Sequence, residues 1–123
     1  KVRIRNYDPS LTLDKDIRNH EGRLIASKGT VVNPLSYVAL SKQLIFINAD
    51  RPSELEFAKT KLKDNFNNKI ILVNGNVKEA NQVIGAPVYF DQAARLINRF
   101  GLEYTPTVVE QNGDKLKITE VVL

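Results

Sequence analysis

The chain has 123 residues, 42% of them hydrophobic, and a net charge of +4 from 18 basic and 14 acidic residues. That length suits one domain with one conventional core. There is no cysteine, which excludes disulfides, thiolate catalysis, zinc–thiolate sites and iron–sulfur clusters while leaving both the cytosol and an oxidising periplasm open.

The chain opens on Lys1 rather than Met, and no apolar core of signal-peptide type follows. It therefore reads as a fragment or a processed form from which any targeting segment has been lost. Residues 1–43 are short-period and turn-rich. Asp8-Pro9-Ser10 marks a turn or a helix start. Asn19-His20-Glu21-Gly22 precedes Arg23-Leu24-Ile25-Ala26, and Lys28-Gly29 precedes Thr30-Val31-Val32. Two short apolar runs with a turn former between them predict a β-hairpin or two small strands. Asn33-Pro34-Leu35 redirects the chain. Leu35, Tyr37 and Val38 are expected to dock on the sheet as core, with part of an exposed patch as the alternative.

Leu44-Ile45-Phe46-Ile47 is an unbroken apolar run, which predicts a strand buried on both faces. No run approaches the ~18 residues of a membrane span. Ser53 with Glu56 three residues on forms a capping box. Leu55, Ala58, Leu62 and Phe66 then recur at helical spacing, with Lys59 and Lys63 on the wet side, and Asn67-Asn68 closes the helix. Ile70–Val73 is a second apolar strand. Asn76 and Glu79 open a short helix that Gly85 closes. Val88-Tyr89-Phe90 is a short strand. Asp91 caps a helix with the apolar face Ala93, Leu96, Ile97 and Phe100, ended by Gly101. Thr107–Val109 is a strand, Asn112-Gly113 a hairpin turn, and Leu116 and Ile118 alternate with polar residues in the last strand.

Strands alternating with helices from Leu44 onward imply a parallel portion of sheet, and the closing hairpin adds an antiparallel one. The fold class is α/β: a mixed sheet with helices on both faces. It is divided into an N-terminal extension, residues 1–43, with a β-hairpin packed on the domain, and the domain itself, residues 44–123.

The stretch from Phe90 to Val109 resembles a thioredoxin ending: an aspartate-capped helix, Phe100-Gly101, then Thr105-Pro106-Thr107 before the hairpin. By that resemblance the Thr105–Pro106 bond is cis and faces the start of the first helix. The redox pair of that family would fall on Asp50-Arg51-Pro52-Ser53, which offers neither a thiolate nor a leaving sulfur. The thioredoxin-like surface is thus expected to keep recognition without thiol chemistry.

Asp8-Pro9-Ser10, Gly22-Arg23, Asn33-Pro34-Leu35, Lys69–Gly75 and Phe90-Asp91-Gln92, in that order and spacing, resemble the TraW family along nearly the whole chain. The resemblance implies a periplasmic component of an F-type conjugative type IV secretion system that acts in pilus assembly. It also implies partners among the other pilus-assembly proteins, TrbC first. The absence of cysteine and of any convergent acid–base set makes the expected role non-catalytic, and no cofactor is expected. Family members carry an export signal and further N-terminal residues.

The residues expected to contact a partner are Arg51, Pro52, Tyr104, Thr105 and Pro106, with Asn33 and Leu35 as a second patch. Asp50–Ser53 also reads as a plain helix start, with Ser53 as cap and Asp50 complementing the dipole, and the two readings are not exclusive. Because both sites are read as loops, Arg51→Glu with Tyr104→Ala is expected to leave the fold intact. Two other function classes stand beside docking. One is a thiol-free thioredoxin-like enzyme, for example a transferase using a hydroxyl. However, His20 is the only histidine, so it is the only imidazole base for a serine, and a solvent turn suits it better than a metal site. The other is a nucleic-acid-binding adaptor. Against it, Arg3, Arg5, Arg18, Arg23, Lys28, Lys59, Lys61 and Lys63 are dispersed and interrupted by acids rather than gathered with stacking aromatics.

Overall fold

The structure, a computed structural model, describes residues 2–36, 39–121 and 123. Tyr37 and Val38, expected to dock beside Leu35, lie outside the described residues. Ten strands are numbered along the chain: β1 (Val2–Tyr7), β2 (Leu11–Thr12), β3 (Ile17–Arg18), β4 (Leu24–Ala26), β5 (Val31–Val32), β6 (Leu44–Asn48), β7 (Lys69–Asn74), β8 (Val88–Phe90), β9 (Thr107–Asn112) and β10 (Lys115–Val121). The helices are α1 (Pro52–Asp64), α2 (Val77–Ile84) and α3 (Arg95–Phe100). Among the described residues no helix is long and apolar enough to cross a membrane.

A six-stranded sheet in the order β1-β10-β9-β6-β7-β8 forms the body. β6, β7 and β8 run parallel, and β1, β10, β9 and β6 are joined antiparallel. The two all-apolar runs occupy inner positions because their side chains are buried on both sides. Ile45, Ile47, Ile70 and Leu72 enter one cluster with Ala58 of α1 and Ala80 of α2. Phe46 and Ile71 enter the other with Phe100 of α3, Val109, Leu116 and Ile118. A period of two on each strand therefore feeds two cores, one under each helical layer.

β1 belongs to the segment read as an N-terminal extension, yet it is the outer strand of the main sheet, paired along its length with β10. The short runs near residues 24–26 and 31–32 are two small strands, and they do not pair with each other. β4 pairs with β3 across the Asn19 turn, and β5 closes outside them on β2. Asn19 Oδ1 accepts from the N–H groups of Glu21 and Arg23, at 2.9 and 3.0 Å, so the turn holds itself as an Asx turn. In the Asp8-Pro9-Ser10 turn the Ser10 N–H donates to Asp8 Oδ1 at 2.9 Å. That bond, with the Ser10 hydroxyl, holds the Asp8 carboxyl below its ordinary value.

Three helix details differ from the sequence reading. α1 begins at Pro52, with Arg51 in the N-cap position and no side-chain cap. Proline suits the first helical position because its missing N–H has no partner there anyway, and this moves Ser53 inside the helix. α1 ends at Asp64, so Phe66 falls beyond it and is 83% exposed; Phe57 packs against the core in addition to Leu55 and Leu62. Asp91 is followed by a 3₁₀ turn, Gln92–Ala94, in which Ala93 and Ala94 are left-handed. α3 therefore starts only at Arg95 and Ala93 is exposed. The Asp91 carboxylate still caps it, accepting from Leu96 and Ile97 N–H at 2.9 Å each.

Gly75 joins β7 to α2 at φ +109°, and a Cβ there would stand 2.6 Å from Ala49 Cβ. Both the backbone conformation and the space exclude a side chain. Gly75→Ala is expected to cost about 2–4 kcal/mol in a urea melt. A loss below 0.5 kcal/mol would show that the Ala49–Gly75 approach does not persist in solution.

Candidate functional site

At the carboxyl ends of β6 and β7 the chain leaves the sheet, and the loop before β9 returns to the same end. Between them lies an open groove of about 500 Å³. Arg51, Ser53 and Glu54 at the start of α1 form one wall, and Leu102, Glu103, Tyr104 and Thr105 form the other. Val73, Ile97 and Leu123 supply further apolar surface. The Thr105–Pro106 peptide is cis, as the thioredoxin resemblance implies. Pro106 immediately precedes β9, and its carbonyl accepts from Val121 N–H at 2.9 Å.

Each wall is built on a buried carboxylate. Glu54 is 2% exposed. Its Oε1 accepts from Asn48 N–H at 2.9 Å and its Oε2 from Arg51 Nη1 at 3.2 Å, so one side chain ties the end of β6 to the N-terminus of α1, where the helix dipole favours an anion. Opposite, Glu120 of β10 is 1% exposed, and its Oε2 accepts from Glu103 and Tyr104 N–H at 3.2 and 2.9 Å. Thr107 Oγ1 donates to Tyr104 O at 2.5 Å. The turn after β6 is held separately. Asn48 Oδ1 accepts from Asp50 N–H at 3.0 Å, and Asn74 Nδ2 donates to Asp50 Oδ2 at 2.7 Å.

The residues expected to contact a partner fall in three settings. Arg51, Tyr104 and Thr105 line the groove together, although half the chain separates them. Tyr104 is 54% exposed, so its ring is available. Pro52 is exposed at the first turn of α1, while the Pro106 ring is fully buried behind the loop and presents no surface. Asn33 and Leu35 lie at the other end of the sheet, by the β9–β10 hairpin. Asn33 Nδ2 donates to Asp114 O at 2.7 Å, and half-buried Leu35 packs on the cluster around Phe46. Glu54 and Glu120 were not singled out from sequence. The available signal for Glu120 was its place in the last strand, in register with inward-facing Leu116 and Ile118, since a carboxylate on a buried face has to be paired.

The Arg51–Glu54 contact also changes one expectation. Arg51→Glu would set a second carboxylate against a buried one, so that substitution is not neutral for the fold. Removing the acid itself, Glu54→Ala, is expected to cost about 2–3 kcal/mol by leaving Asn48 N–H without its acceptor. Thermal unfolding checks this, and an unchanged midpoint would mean that water replaces the carboxylate.

His20 sits in the exposed Asn19 turn, 3.9 Å from Glu21 at its nearest acid. Among the described residues no three His, Asp or Glu side chains gather as a metal site.

In comparison with known proteins, the chain is 39% identical over 123 residues to "Protein TraW" of Escherichia coli (strain K12), a match that takes in 99% of this chain and 59% of that protein. The chain thus spans about three-fifths of the length of its curated relative. No family model matches the chain, and no solved structure does.

Proposed function

Because this chain belongs to the TraW family, we propose that it is a non-catalytic docking component of an F-type conjugative type IV secretion system, acting in pilus assembly in the periplasm. Its architecture in this reading is that of a thioredoxin whose redox chemistry has gone. The supports are the mixed sheet with helices on both faces and the cis proline loop facing the start of α1. Asp50–Ser53 stands where that fold would carry its thiols. The partners are other pilus-assembly proteins, with TrbC the first to test.

One observation carries the proposal: Arg51 and Ser53 meet Tyr104 and Thr105 around an open groove, in a chain without a single thiol. An exposed cation and a half-exposed tyrosine are residue types that anchor protein interfaces. Rigid sheet ends hold both loops, so the surface is preformed rather than assembled on binding. The deciding experiment compares pilus formation and DNA transfer in cells carrying the wild-type full-length protein or Arg51→Gln with Tyr104→Ala, alongside a pull-down of TrbC. Normal assembly by a folded double variant would remove the groove as the docking site. Insulin reduction by the purified protein would overturn the non-catalytic reading.

A further inference from the structure

We propose that Glu120 is a positioning residue for the docking groove, and that Arg3 and Arg5 of β1 latch it, so that the outer strand of the sheet sets the shape of the Glu103–Tyr104 wall. The inference rests on the docking reading above and deepens it.

The two oxygens of Glu120 face opposite ways. Oε2 accepts from the backbone N–H groups of Glu103 and Tyr104. Oε1 faces the outer strand, 2.9 Å from Arg3 Nη2 and 3.5 Å from Arg5 Nε. These two approaches are ionic contacts rather than aligned hydrogen bonds, since neither Arg5 Nε nor Glu120 Oε1 has a hydrogen-bond partner among the described residues. Arg3 stands directly opposite Glu120 in the β1–β10 ladder, where opposite charges reinforce pairing.

The same arginines reach the wall by two further routes. Arg3 Nη1 lies 3.1 Å from Glu103 Oε2. Arg5 Nη2 donates to Phe100 O and, at 3.0 Å, to Gly101 O, so it holds the end of α3 from which the wall departs. β10, β1, the α3 terminus and the groove loop thus converge on one buried carboxylate. The Arg3–Glu103 pair is exposed and weak. The N–H bonds to buried Glu120 are charge-assisted and shielded from water, and they dominate.

Burying a carboxylate is costly unless every lone pair is used, and a strand whose only task was packing would carry an apolar residue beside Leu116 and Ile118. What an acid adds at position 120 is an acceptor for two loop N–H groups and an attraction for β1. The groove wall is therefore fixed before a partner arrives, which lowers the ordering cost of docking.

Amide hydrogen exchange on the full-length protein tests this without a partner. In Glu120→Leu, exchange at Glu103 and Tyr104 should accelerate about tenfold, the loss of one charge-assisted bond, while Val109 and Ile118 stay protected. Glu120→Gln keeps an acceptor for the loop and should restore protection at both amides, which a mere volume effect would not do. Arg3→Ala with Arg5→Ala should accelerate the same two amides less than Glu120→Leu does.

Unchanged Tyr104 exchange in a folded Glu120→Leu would overturn the proposal. So would acceleration spread evenly over β9 and β10, which would make Glu120 a general support of the fold. The outcome of the Arg51→Gln/Tyr104→Ala assembly test is read separately. If that variant assembles pili normally while Glu120→Leu frees the loop, the docking reading fails and the latch stands.

Discussion

Arg51→Gln with Tyr104→Ala is expected to abolish pilus assembly and DNA transfer in a protein that still folds. Tyrosine and arginine anchors each cost about 2 kcal/mol or more when truncated in an interface core. Losing both should weaken docking by more than a hundredfold, since 1.4 kcal/mol is about tenfold. Gln is preferred to Glu at position 51 because the Arg51 guanidinium contacts the buried Glu54 carboxylate at 3.2 Å. A neutral amide removes the cation without adding repulsion. The arginine side of the pair is 63% exposed, so truncating it admits water to the Glu54 oxygen it contacted, and the Glu54 bond to Asn48 N–H is kept. Tyr104 is half exposed, and its backbone bonds to Glu120 and Thr107 do not depend on its ring. The unfolding midpoint should therefore fall by only a few degrees. Single variants separate the contributions: Tyr104→Ala alone should lose most of the affinity, because a ring excludes more water than a solvated cation.

The sheet was legible where burial is total. Leu44–Ile47 and Ile70–Val73 are apolar without interruption, and only an inner strand covered on both faces hides such runs. Asn112-Gly113 marked the hairpin to within one residue, since Asn112 ends β9 opposite Lys115 and the loop itself is Gly113-Asp114; Asn76 located α2 through the bond from Glu79 N–H to its side chain, 3.0 Å. The pairing of short strands was not legible. β4 and β5 each have a partner earlier in the chain, and two-residue ladders leave no local pattern that says which. β1 left a signal that went unread: Val2-Arg3-Ile4-Arg5 alternates with period two. In the site, the approach of Arg51 to Tyr104 follows from the thioredoxin resemblance and from nothing local. Glu54 and Glu120 were missed because a carboxylate in a charged chain looks solvated until its strand or helix face is known. Pro106, expected among the partner contacts, has a buried ring because the residue leading into inner strand β9 is enclosed by its neighbours.

The largest loss of stability is expected from Phe46→Ala. Phe46 is fully buried in β6, at the centre of the core face that α3 covers. Its ring meets Phe100 edge-on at 6.3 Å, and Phe100 in turn meets Tyr7 of β1 at 5.2 Å. Ile71 and Val109 flank it on neighbouring strands. Strands on either side of Phe46 are hydrogen-bonded and cannot close over the space its ring leaves, so the cavity term adds to the transfer term. The expected cost is about 3–5 kcal/mol, a large part of the roughly 5–15 kcal/mol that holds a domain of this size. Urea unfolding should show a lower midpoint with an unchanged slope, and Phe46→Leu should recover most of the difference by refilling the volume. A double-mutant cycle with Phe100→Ala isolates the ring pair, for which about 0.5–1.5 kcal/mol of coupling is expected. Because Phe100 also ends the helix whose carbonyls Arg5 holds, loosening this cluster should speed exchange at Glu103 and Tyr104 as well. If Phe46→Ala costs under 1.5 kcal/mol, the face under α3 repacks freely, and the groove wall cannot be as rigid as the Glu120 contacts require.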